Sequence, residues 1–222
     1  MVSDADDDAP APDPRRVAAR LRAVREGRHL TGRGGAADRD RLPPGQRVVE
    51  KWPVLDLGVH PNIPRDKWRL QIGGLVERPL TLDWAAFAAL PESDIVSDVH
   101  CVTSWSVYEN RWTGVAAADL LAHVGPKAEA RFVLLHGSDG YTTNLPLSRF
   151  AAPDSVIAHA WNGAPLAKEH GGPVRAVIPA LYFWKSAKWL RRITLVAEDA
   201  PGYWEVRGYH NDADPWREER YG

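Results

Sequence analysis

Short strand-like and helix-like runs alternate from about residue 46 onwards, in an order without a regular β-α-β repeat. Period-two or continuous apolar runs that predict strands cover residues 68–74, 95–99, 130–137, 155–160, 174–179 and 190–197. Runs that predict helices cover residues 82–90 and 115–124. Regular alternation would favour a parallel sheet wrapped by helices, whereas this irregular order favours the fold class α+β.

The first part of the chain has a different composition. Residues 1–13 are acidic and proline-rich, which predicts disorder. Apolar residues at helical spacing predict a short helix at 14–27, and the polar, glycine-rich residues 33–45 are typical of a linker. We therefore predict a flexible N-terminal segment, 1–45, followed by one compact domain, 46–222.

Charge and hydropathy restrict the partners and the location. The formal net charge is −1, which offers no electrostatic basis for binding nucleic acid or an anionic membrane. The sequence contains no run of 18 apolar residues, so we expect no membrane span. The N-terminus has acids and prolines where an export signal has an apolar core, which predicts a cytoplasmic protein.

Cys101 is the only cysteine of the chain. One cysteine rules out an internal disulfide, and also a zinc or iron–sulfur site built from several thiolates of this chain. Cys101 follows the predicted strand 95–99, so its side chain can project into a cleft as a soft metal ligand. The alternative is structural, because a single free cysteine is more often a small buried hydrophobic residue.

The segment HGGPVR contains His170, Gly171, Gly172 and Arg175. Glycines let backbone N–H groups approach an anion closely, and a guanidinium binds phosphate in bidentate fashion. The alternative interpretation of this segment is structural: a tight turn followed by a surface arginine.

The segment FWKSAKWL places Lys185, Ser186 and Lys188 within four residues, which indicates a second anion-binding element. The alternative is a solvated turn whose lysines extend into water. The sequence has no glycine-rich dinucleotide fingerprint after a strand, no G-x-S-x-G elbow and no H-E-x-x-H pair.

Three further residues have side chains suited to a site. Arg111 in NRWTGV can contact an anionic substrate, and Tyr141 in DGYTTNLPL can donate a hydrogen bond. His60 in LGVHPNIP is a loop histidine. Taken alone, an arginine or a tyrosine in such a position more often has a packing role, and the loop histidine is uninformative by itself.

Taken together, the segments resemble the sulfite oxidase family of molybdopterin enzymes, especially its small, single-domain bacterial members. The resemblance runs from about residue 52 to residue 196. The matching segments occur in family order: HCVTSW, RWTGV, DGYTTNLPL, WNGAPLAKEHGGPVRAVIP and LYFWKSAKWLRRI.

The resemblance implies a mixed-sheet molybdopterin-binding domain and a molybdenum–molybdopterin cofactor. Cys101 would ligate the molybdenum and act as a catalytic residue, with Arg111 and Tyr141 facing the substrate. The pterin and its phosphate would be held by His60, Thr103, His170, Arg175, Ser186 and Lys188.

The resemblance also implies a reaction class: transfer of an oxygen atom to or from a small substrate, with electrons exchanged with a separate partner. Sulfite oxidases carry Arg-Asn-His where this chain has Gly58-Val59-His60, so a cation that binds sulfite is replaced here. Reduction of S-oxides or N-oxides stays open beside sulfite-like oxidation. The family's C-terminal dimerisation domain has no counterpart in these 222 residues, which favours a monomer. The rival hypothesis is a cofactor-free binding module on the same scaffold.

Overall fold

The computed structural model describes residues 13–15, 18, 22, 41–51 and 53–222. Residues 1–12 of the predicted disordered segment, most of the predicted helix at 14–27 and residues 33–40 of the predicted linker lie outside the described residues. Residues before 46 contact the domain at two described positions: Asp13 N donates to the Leu57 carbonyl at 2.9 Å, and the Arg41 guanidinium binds the Asp98 carboxylate at 2.7 Å. A domain boundary near residue 46 stays a prediction.

Residues 14, 15, 18 and 22 are helical, and the described chain from residue 41 onwards contains eleven strands and three α-helices. The strands are β1 (Arg47–Val48), β2 (Arg69–Gly74), β3 (Leu80–Asp83), β4 (Ser93–His100), β5 (Trp105–Ala116), β6 (Phe132–Gly137), β7 (Thr142–Pro146), β8 (Val156–Trp161), β9 (Ala164–Pro165), β10 (Arg175–Val177) and β11 (Leu190–Val196). The helices are α1 (Trp84–Ala88), α2 (Ala117–Val124) and α3 (Leu147–Phe150).

These strands form two mixed sheets. In the first sheet, β5 pairs in parallel with β1 and antiparallel with β4 and β8, and β8 also pairs with β9 and β10. The second sheet has the order β3-β2-β11-β6-β7, with β11 parallel to β2 and antiparallel to β6. Mixed sheets with few and short helices confirm the α+β class.

The core consists of the inward faces of these strands. Burial alternates along β2 and β6, as expected for strands with one face against the core. Large aromatic rings fill much of the interior. Four of the ten tryptophans are among the largest fully buried side chains: Trp68, Trp105, Trp112 and Trp189.

The two predicted helices are shorter than expected at their N-termini. Residues 80–83 form β3, because they pair with β2, and α1 begins only at Trp84. The Asp83 carboxylate caps α1 by accepting a hydrogen bond from Ala86 N at 2.8 Å. Helix α2 begins at Ala117 and ends at Gly125, whose φ of +63° is favourable for glycine.

Five strands were not predicted: β1, β3, β5, β7 and β9. Strand β5 carries charged and polar residues such as Glu109, Asn110 and Arg111, which hide its period, and its pairing with β4 and β8 stabilises it instead. Strand β7 forms through its pairing with β6. Among the described residues, no helix is both long and apolar enough to cross a membrane.

Candidate functional site

A cleft opens beside the C-terminal end of β4, with about 730 Å³ of empty space when the part open to solvent is included. Residues from distant parts of the chain line it: Pro53, Leu55, Asp56, Leu57, Cys101, Val102, Thr103, Trp105, Asp139, Tyr141, His170, Arg175, Phe183, Trp184, Ser186, Lys188, Trp204 and Tyr209.

Cys101 lines this cleft directly after β4. A tight turn follows it, in which Ser104 N donates to the Cys101 carbonyl at 2.9 Å and Cys101 N donates to the Trp105 carbonyl at 2.8 Å. The Cys101 carbonyl also accepts a hydrogen bond from Gln46 Nε2 at 2.9 Å. These bonds hold the backbone of the thiol-bearing residue in one orientation.

Thr103 lies on the same turn and contacts the thiol. Its Oγ1 is 3.3 Å from Cys101 Sγ, within hydrogen-bond distance for sulfur. Thr103 also lines the cleft, so the structure brings both predicted residues of the HCVTSW segment together.

Arg175 lies at the base of the cleft, almost completely buried. Its guanidinium donates to the carbonyls of His170 at 2.9 Å, Ser186 at 2.8 Å and Ala176 at 3.2 Å. Burial lowers the pKa of Arg175 to about 9, so the group is still charged at neutral pH. The side chain therefore joins the HGGPVR segment to the FWKSAKWL segment and adds a positive charge to the cleft.

Ser186 and Lys188 line the cleft next to Arg175. Ser186 Oγ accepts a hydrogen bond from Ile178 N at 2.9 Å, which leaves the orientation of the hydroxyl hydrogen adjustable. Lys188 Nζ donates to the Glu169 carbonyl at 2.8 Å and lies 3.9 Å from Asp56 Oδ2. We refer to these groups and Arg175 as the anion-binding wall, because their residue types suit an anion.

His170 also lines the cleft, half-buried. Burial, together with the nearby charge of Arg175, lowers the pKa of His170 to about 4. The imidazole is therefore neutral at pH 7 and can contribute one donor and one acceptor, without a positive charge.

The two glycines of HGGPVR act differently from the prediction. Gly171 N donates to the Lys168 carbonyl at 3.0 Å and Gly172 N donates to the Ala167 carbonyl at 3.1 Å, so both N–H groups are used within the turn. A Cβ on Gly171 would lie 2.9 Å from the Lys188 Cβ. Gly171 thus allows the two anion-binding segments to pack closely, and the anion contacts are left to side chains.

His60 is not among the residues that line the cleft. Its Nε2 donates to Asp56 Oδ2 at 2.6 Å, and Asp56, whose carboxylate also accepts from Gly58 N at 2.8 Å, does line it. Burial alone would raise the pKa of Asp56, but the bonds from His60 and Gly58 and the charge of Lys188 lower it. His60 is thus linked to the cleft through a carboxylate that the sequence analysis did not select.

Tyr141 lines the cleft, as predicted from its segment, but its hydroxyl is already engaged. The OH group donates to the Trp184 carbonyl at 2.6 Å. Burial raises the pKa of Tyr141 well above its ordinary value, so the phenol is neutral.

The structure places Arg111 outside the cleft, on the exposed side of β5. Its side chain is 60% exposed and its Nη2 binds Asp94 Oδ2 at 2.5 Å. Arg111 pairs with Val96 on β4, five residues before Cys101, a separation of about 16 Å along the strand. The structure therefore does not bring Arg111 together with the other selected residues.

Lys185, an expected part of the anion-binding element, points away from Ser186 and Lys188. Its Nζ is completely buried, 2.7 Å from Glu205 Oε1 and 2.8 Å from the Asn144 carbonyl. The expectation that Lys185 contributes to the cleft was wrong, because the short 3-10 turn Phe183–Lys185 directs this side chain to a structural ion pair.

Several residues of the cleft were missed, among them Asp56, Asp139, Trp204 and Tyr209. Asp139 belongs to the turn before Tyr141, and burial raises its pKa to about 6. Trp204 and Tyr209 come from the irregular C-terminal stretch, where stacking places their rings 5.0 Å apart. The density of aromatic residues in GYWEVRGYH was the available signal, but it carried no period.

Fold and cleft together define a class of protein: an α+β domain in which a single cysteine and the cationic side chains of two other segments line the same cleft. Residues 57–204 match the family described as the oxidoreductase molybdopterin binding domain. The chain belongs to this family, the sulfite oxidase family of molybdopterin-dependent oxidoreductases.

Individual relatives agree with this assignment. The chain is 48% identical over 182 residues to the uncharacterized oxidoreductase YuiH of Bacillus subtilis. This alignment covers 82% of this chain and 92% of YuiH. It is 27% identical to the mitochondrial sulfite oxidase of Drosophila melanogaster, over 67% of this chain but only 30% of that enzyme.

A solved structure agrees as well. The sulfane dehydrogenase SoxCD of Paracoccus pantotrophus superimposes with a TM-score of 0.57 and 25% identity, over 63% of this chain and 40% of the SoxCD chain. The chain thus spans less than half of the sulfite oxidase and SoxCD chains.

The residues present fit a molybdenum–pterin cofactor. Thiolate is a suitable ligand for the metal, and Arg175, Lys188 and Ser186 suit the phosphate. Trp105, which lines the cleft, has a buried Nε1 donor with no hydrogen-bond partner within the described part of the chain. A bound polar group can satisfy such a donor.

Proposed function

We propose that Cys101 ligates molybdenum in this oxidoreductase and that the enzyme transfers an oxygen atom to or from a small substrate. The observation that carries the proposal is that the only thiol of the chain and the anion-binding wall line the same cleft. When bound, the cofactor supplies the metal centre at which the oxygen atom and two electrons are exchanged.

The residues of the chain have separate roles in this proposal. Arg175, Lys188 and Ser186 hold the pterin phosphate, and Thr103 and the neutral His170 add hydrogen bonds beside it. His60 acts from outside the cleft by holding the Asp56 carboxylate near Lys188. Buried aromatic and aliphatic side chains exclude water from the thiol.

Tyr141 is proposed to face the substrate. Its ring lines the cleft and its hydroxyl is held by the Trp184 carbonyl, so it is preorganised rather than mobile. Electrons are exchanged with a separate carrier, because a single cysteine supplies no second cluster site in this chain. A cytoplasmic location and a monomeric state stay predictions.

The test is elemental analysis of protein made in a host that synthesises the cofactor. We expect about one molybdenum per chain in the unaltered protein. In Cys101→Ser, we expect a fold with an unchanged melting temperature for the apoprotein, an altered Mo(V) electron paramagnetic resonance spectrum and loss of turnover. Arg217→Gln, an exposed change outside the cleft, serves as the control.

Two results would contradict the proposal. Unaltered turnover and an unaltered spectrum in Cys101→Ser would remove this thiol from the metal site. Protein without molybdenum and without pterin fluorescence after denaturation would instead favour a binding module that kept the scaffold. A bound cofactor should also raise the melting temperature of the holoprotein above that of the apoprotein.

A further inference from the structure

Three metal-ligating side chains come together outside the cleft, near the C-terminal end of the chain. His210, Asp212 and Glu219 each offer one ligand atom, and these atoms all lie within 4.8 Å of one another. None of the three lines the cleft, so the proposed function does not use them. The set combines an imidazole nitrogen with two carboxylates, which are ligands that divalent transition metals accept. We call these three residues the C-terminal cluster.

The backbone closes a loop that brings the members of the cluster together. Tyr209 and Tyr221 form an antiparallel bridge, and beside it His210 N donates to the Arg220 carbonyl at 3.2 Å. This contact fixes both ends of the loop. His210 and Glu219 lie at these ends, so their side chains face each other across the neck of the loop.

The carboxylate of Glu219 is held inside this loop. Asp214 N donates to Glu219 Oε2 at 3.1 Å, and Glu219 N donates to the Asp214 carbonyl at 3.1 Å. The side chain of Glu219 is only 15% exposed, and that of His210 is 30% exposed. Two of the three ligands are therefore largely ordered before an ion binds, which lowers the entropic cost of binding.

The distance between these two ligands fits a single small ion. His210 Nδ1 lies 3.7 Å from Glu219 Oε2. Two ligands at about 2.0–2.1 Å from a tetrahedral Zn²⁺ are about 3.4 Å apart, so a slight rotation of either side chain is sufficient. Asp212 is exposed and can turn its carboxylate towards the same point, and water can take the fourth position.

The hydrogen bonds of the loop direct a lone pair of the imidazole into the cluster. Asp212 N donates to His210 Nδ1 at 3.1 Å, so in the neutral ring this nitrogen is the acceptor and Nε2 carries the hydrogen. Nδ1 and Glu219 Oε2 are then two acceptors facing each other, and a cation between them is attracted to both. Water can take over the hydrogen bond of the exposed Asp212 N–H when an ion binds.

The cation that is already next to the cluster is easily displaced. Arg217 Nη1 lies 3.6 Å from Glu219 Oε1, but the arginine side chain is 73% exposed. Exposed ion pairs of this kind contribute little to stability. A divalent ion can therefore replace the guanidinium beside Glu219.

We propose that His210, Asp212 and Glu219 form a binding site for a divalent transition metal ion of the Zn²⁺ type, separate from the cleft. Mg²⁺ and Ca²⁺ should bind more weakly, because these hard ions prefer shells made of oxygen ligands. The site is independent of the proposed function, since it requires neither molybdenum nor the thiol.

The bound ion would fasten the C-terminal segment to the rest of the domain. Tyr209, directly before His210, lines the cleft. Arg220, directly after Glu219, donates to the Val102 carbonyl at 2.7 Å, on the turn that carries the cysteine. An ion shared by His210 and Glu219 thus stabilises both contacts of this segment with the cleft.

The experiment is a calorimetric titration of the purified protein with Zn²⁺. Because a thiol also binds zinc, the titration is repeated on Cys101→Ser. We expect one Zn²⁺ per chain with micromolar affinity in both proteins, and binding of Mg²⁺ that is weaker by at least about tenfold. X-ray absorption at the zinc edge should show nitrogen and oxygen ligands at about 2.0–2.2 Å and no sulfur.

Variants of the ligands test the position of the site. His210→Gln and Glu219→Gln should each weaken Zn²⁺ binding by at least about tenfold. Two matched controls should leave the affinity unchanged: Glu218→Gln, which removes a neighbouring exposed carboxylate, and His123→Gln, which removes an exposed histidine of α2. Zn²⁺ should raise the melting temperature of the unaltered protein and of the controls, and not that of the ligand variants.

Three results would overturn the proposal: no Zn²⁺ binding, equal affinities of His210→Gln and His123→Gln, or a sulfur ligand that disappears in Cys101→Ser. If His210→Gln fails to fold, Asp212→Asn provides the same comparison at an exposed residue. Protein that lacks molybdenum but binds Zn²⁺ at the C-terminal cluster would contradict the proposed function and support this site.

Discussion

The guanidinium of Arg220 donates a hydrogen bond from Nη1 to the carbonyl oxygen of Val102 at 2.7 Å, across 118 residues of sequence. The same nitrogen lies 3.3 Å from Ser104 Oγ, and Nη2 donates to the Pro44 carbonyl at 3.1 Å. Ser104 has a φ of 69°, in the left-handed region that is unfavourable for residues other than glycine. The C-terminal segment therefore holds a strained turn in the position that presents Cys101.

Replacing this arginine should loosen the turn. We expect Arg220→Gln to lower the free energy of unfolding of the apoprotein by about 1–3 kcal/mol, because charge-assisted bonds to a partly buried turn are lost. Alkylation of Cys101 by iodoacetamide should become faster. Arg217→Gln, whose side chain is 73% exposed, is the control. If both variants show the same stability and alkylation rate, Arg220 has no role in holding the turn.

The ion pair between Lys185 and Glu205 is completely buried and should be essential for stability. Glu205 Oε1 also accepts hydrogen bonds from Thr143 Oγ1 and Trp184 Nε1, both at 2.9 Å. We expect Lys185→Met to cost about 3–5 kcal/mol in urea unfolding of the apoprotein, since an uncompensated carboxylate stays in the interior.

The double variant Lys185→Met/Glu205→Gln should recover part of this loss, because it removes the uncompensated charge. A single-variant cost below about 1 kcal/mol would show that the pair is dispensable.

Asp139 should make stability depend on pH in a defined direction. Burial raises the pKa of its carboxyl from 3.8 to about 6 in the folded state, so the protonated form is favoured there. The contribution of the Asp139 carboxyl to the free energy of unfolding is therefore fully present below about pH 4, where the group is protonated in both states. This contribution is lost as the pH rises through 6.

Asp139→Asn removes this loss and keeps an acceptor for the hydrogen bond that Tyr141 N donates to Oδ1 at 3.1 Å. The stability of the variant relative to the unaltered protein should therefore improve between pH 4 and pH 8, by up to about 3 kcal/mol. Urea unfolding at several pH values measures it, and a difference that does not change with pH would contradict the raised pKa.

Arg111 should behave as a surface residue. We expect Arg111→Gln to leave the free energy of unfolding nearly unchanged, because its ion pair with Asp94 is exposed to water. Thermal melting measures this change, with Asp94→Asn as the matched partner variant. A large fall in kcat/KM without a loss of stability would instead restore Arg111 to the substrate site.

Much of the fold could be predicted because the signals are local. Apolar residues in β2, β6 and β11 alternate or form short runs, so the period of the sequence reports the strand directly. Strand β5 carries no such period, because pairing with two neighbouring strands stabilises its polar residues: β4, which directly precedes it in the chain, and β8, which follows much later. Only pairing reveals that strand.

The candidate site was likewise predictable where local sequence indicates the chemistry, and unpredictable where tertiary contacts decide the orientation of a side chain. Cys101, Arg175, Ser186 and Lys188 could be selected because each lies in a short segment whose residue types suit one kind of ligand. The positions of Arg111 and Lys185 could not be predicted, since a neighbour in sequence can point to the opposite side of the chain. Local chemistry shows what a side chain can bind, and the backbone decides which way it points.

By itself, the sequence determined which reactive groups this protein has and the order of its local structure. It has one thiol, two short cationic segments, and strands and helices in an irregular order that is typical of the α+β class. Only the tertiary structure decided which of these groups share a cleft. It places Arg111 on the exterior, pairs Lys185 with Glu205 in the interior, and places Trp204 and Tyr209 in the lining of the cleft. The physical reason is that orientation is set by contacts between residues far apart in the chain, and no short segment contains both partners of such a contact.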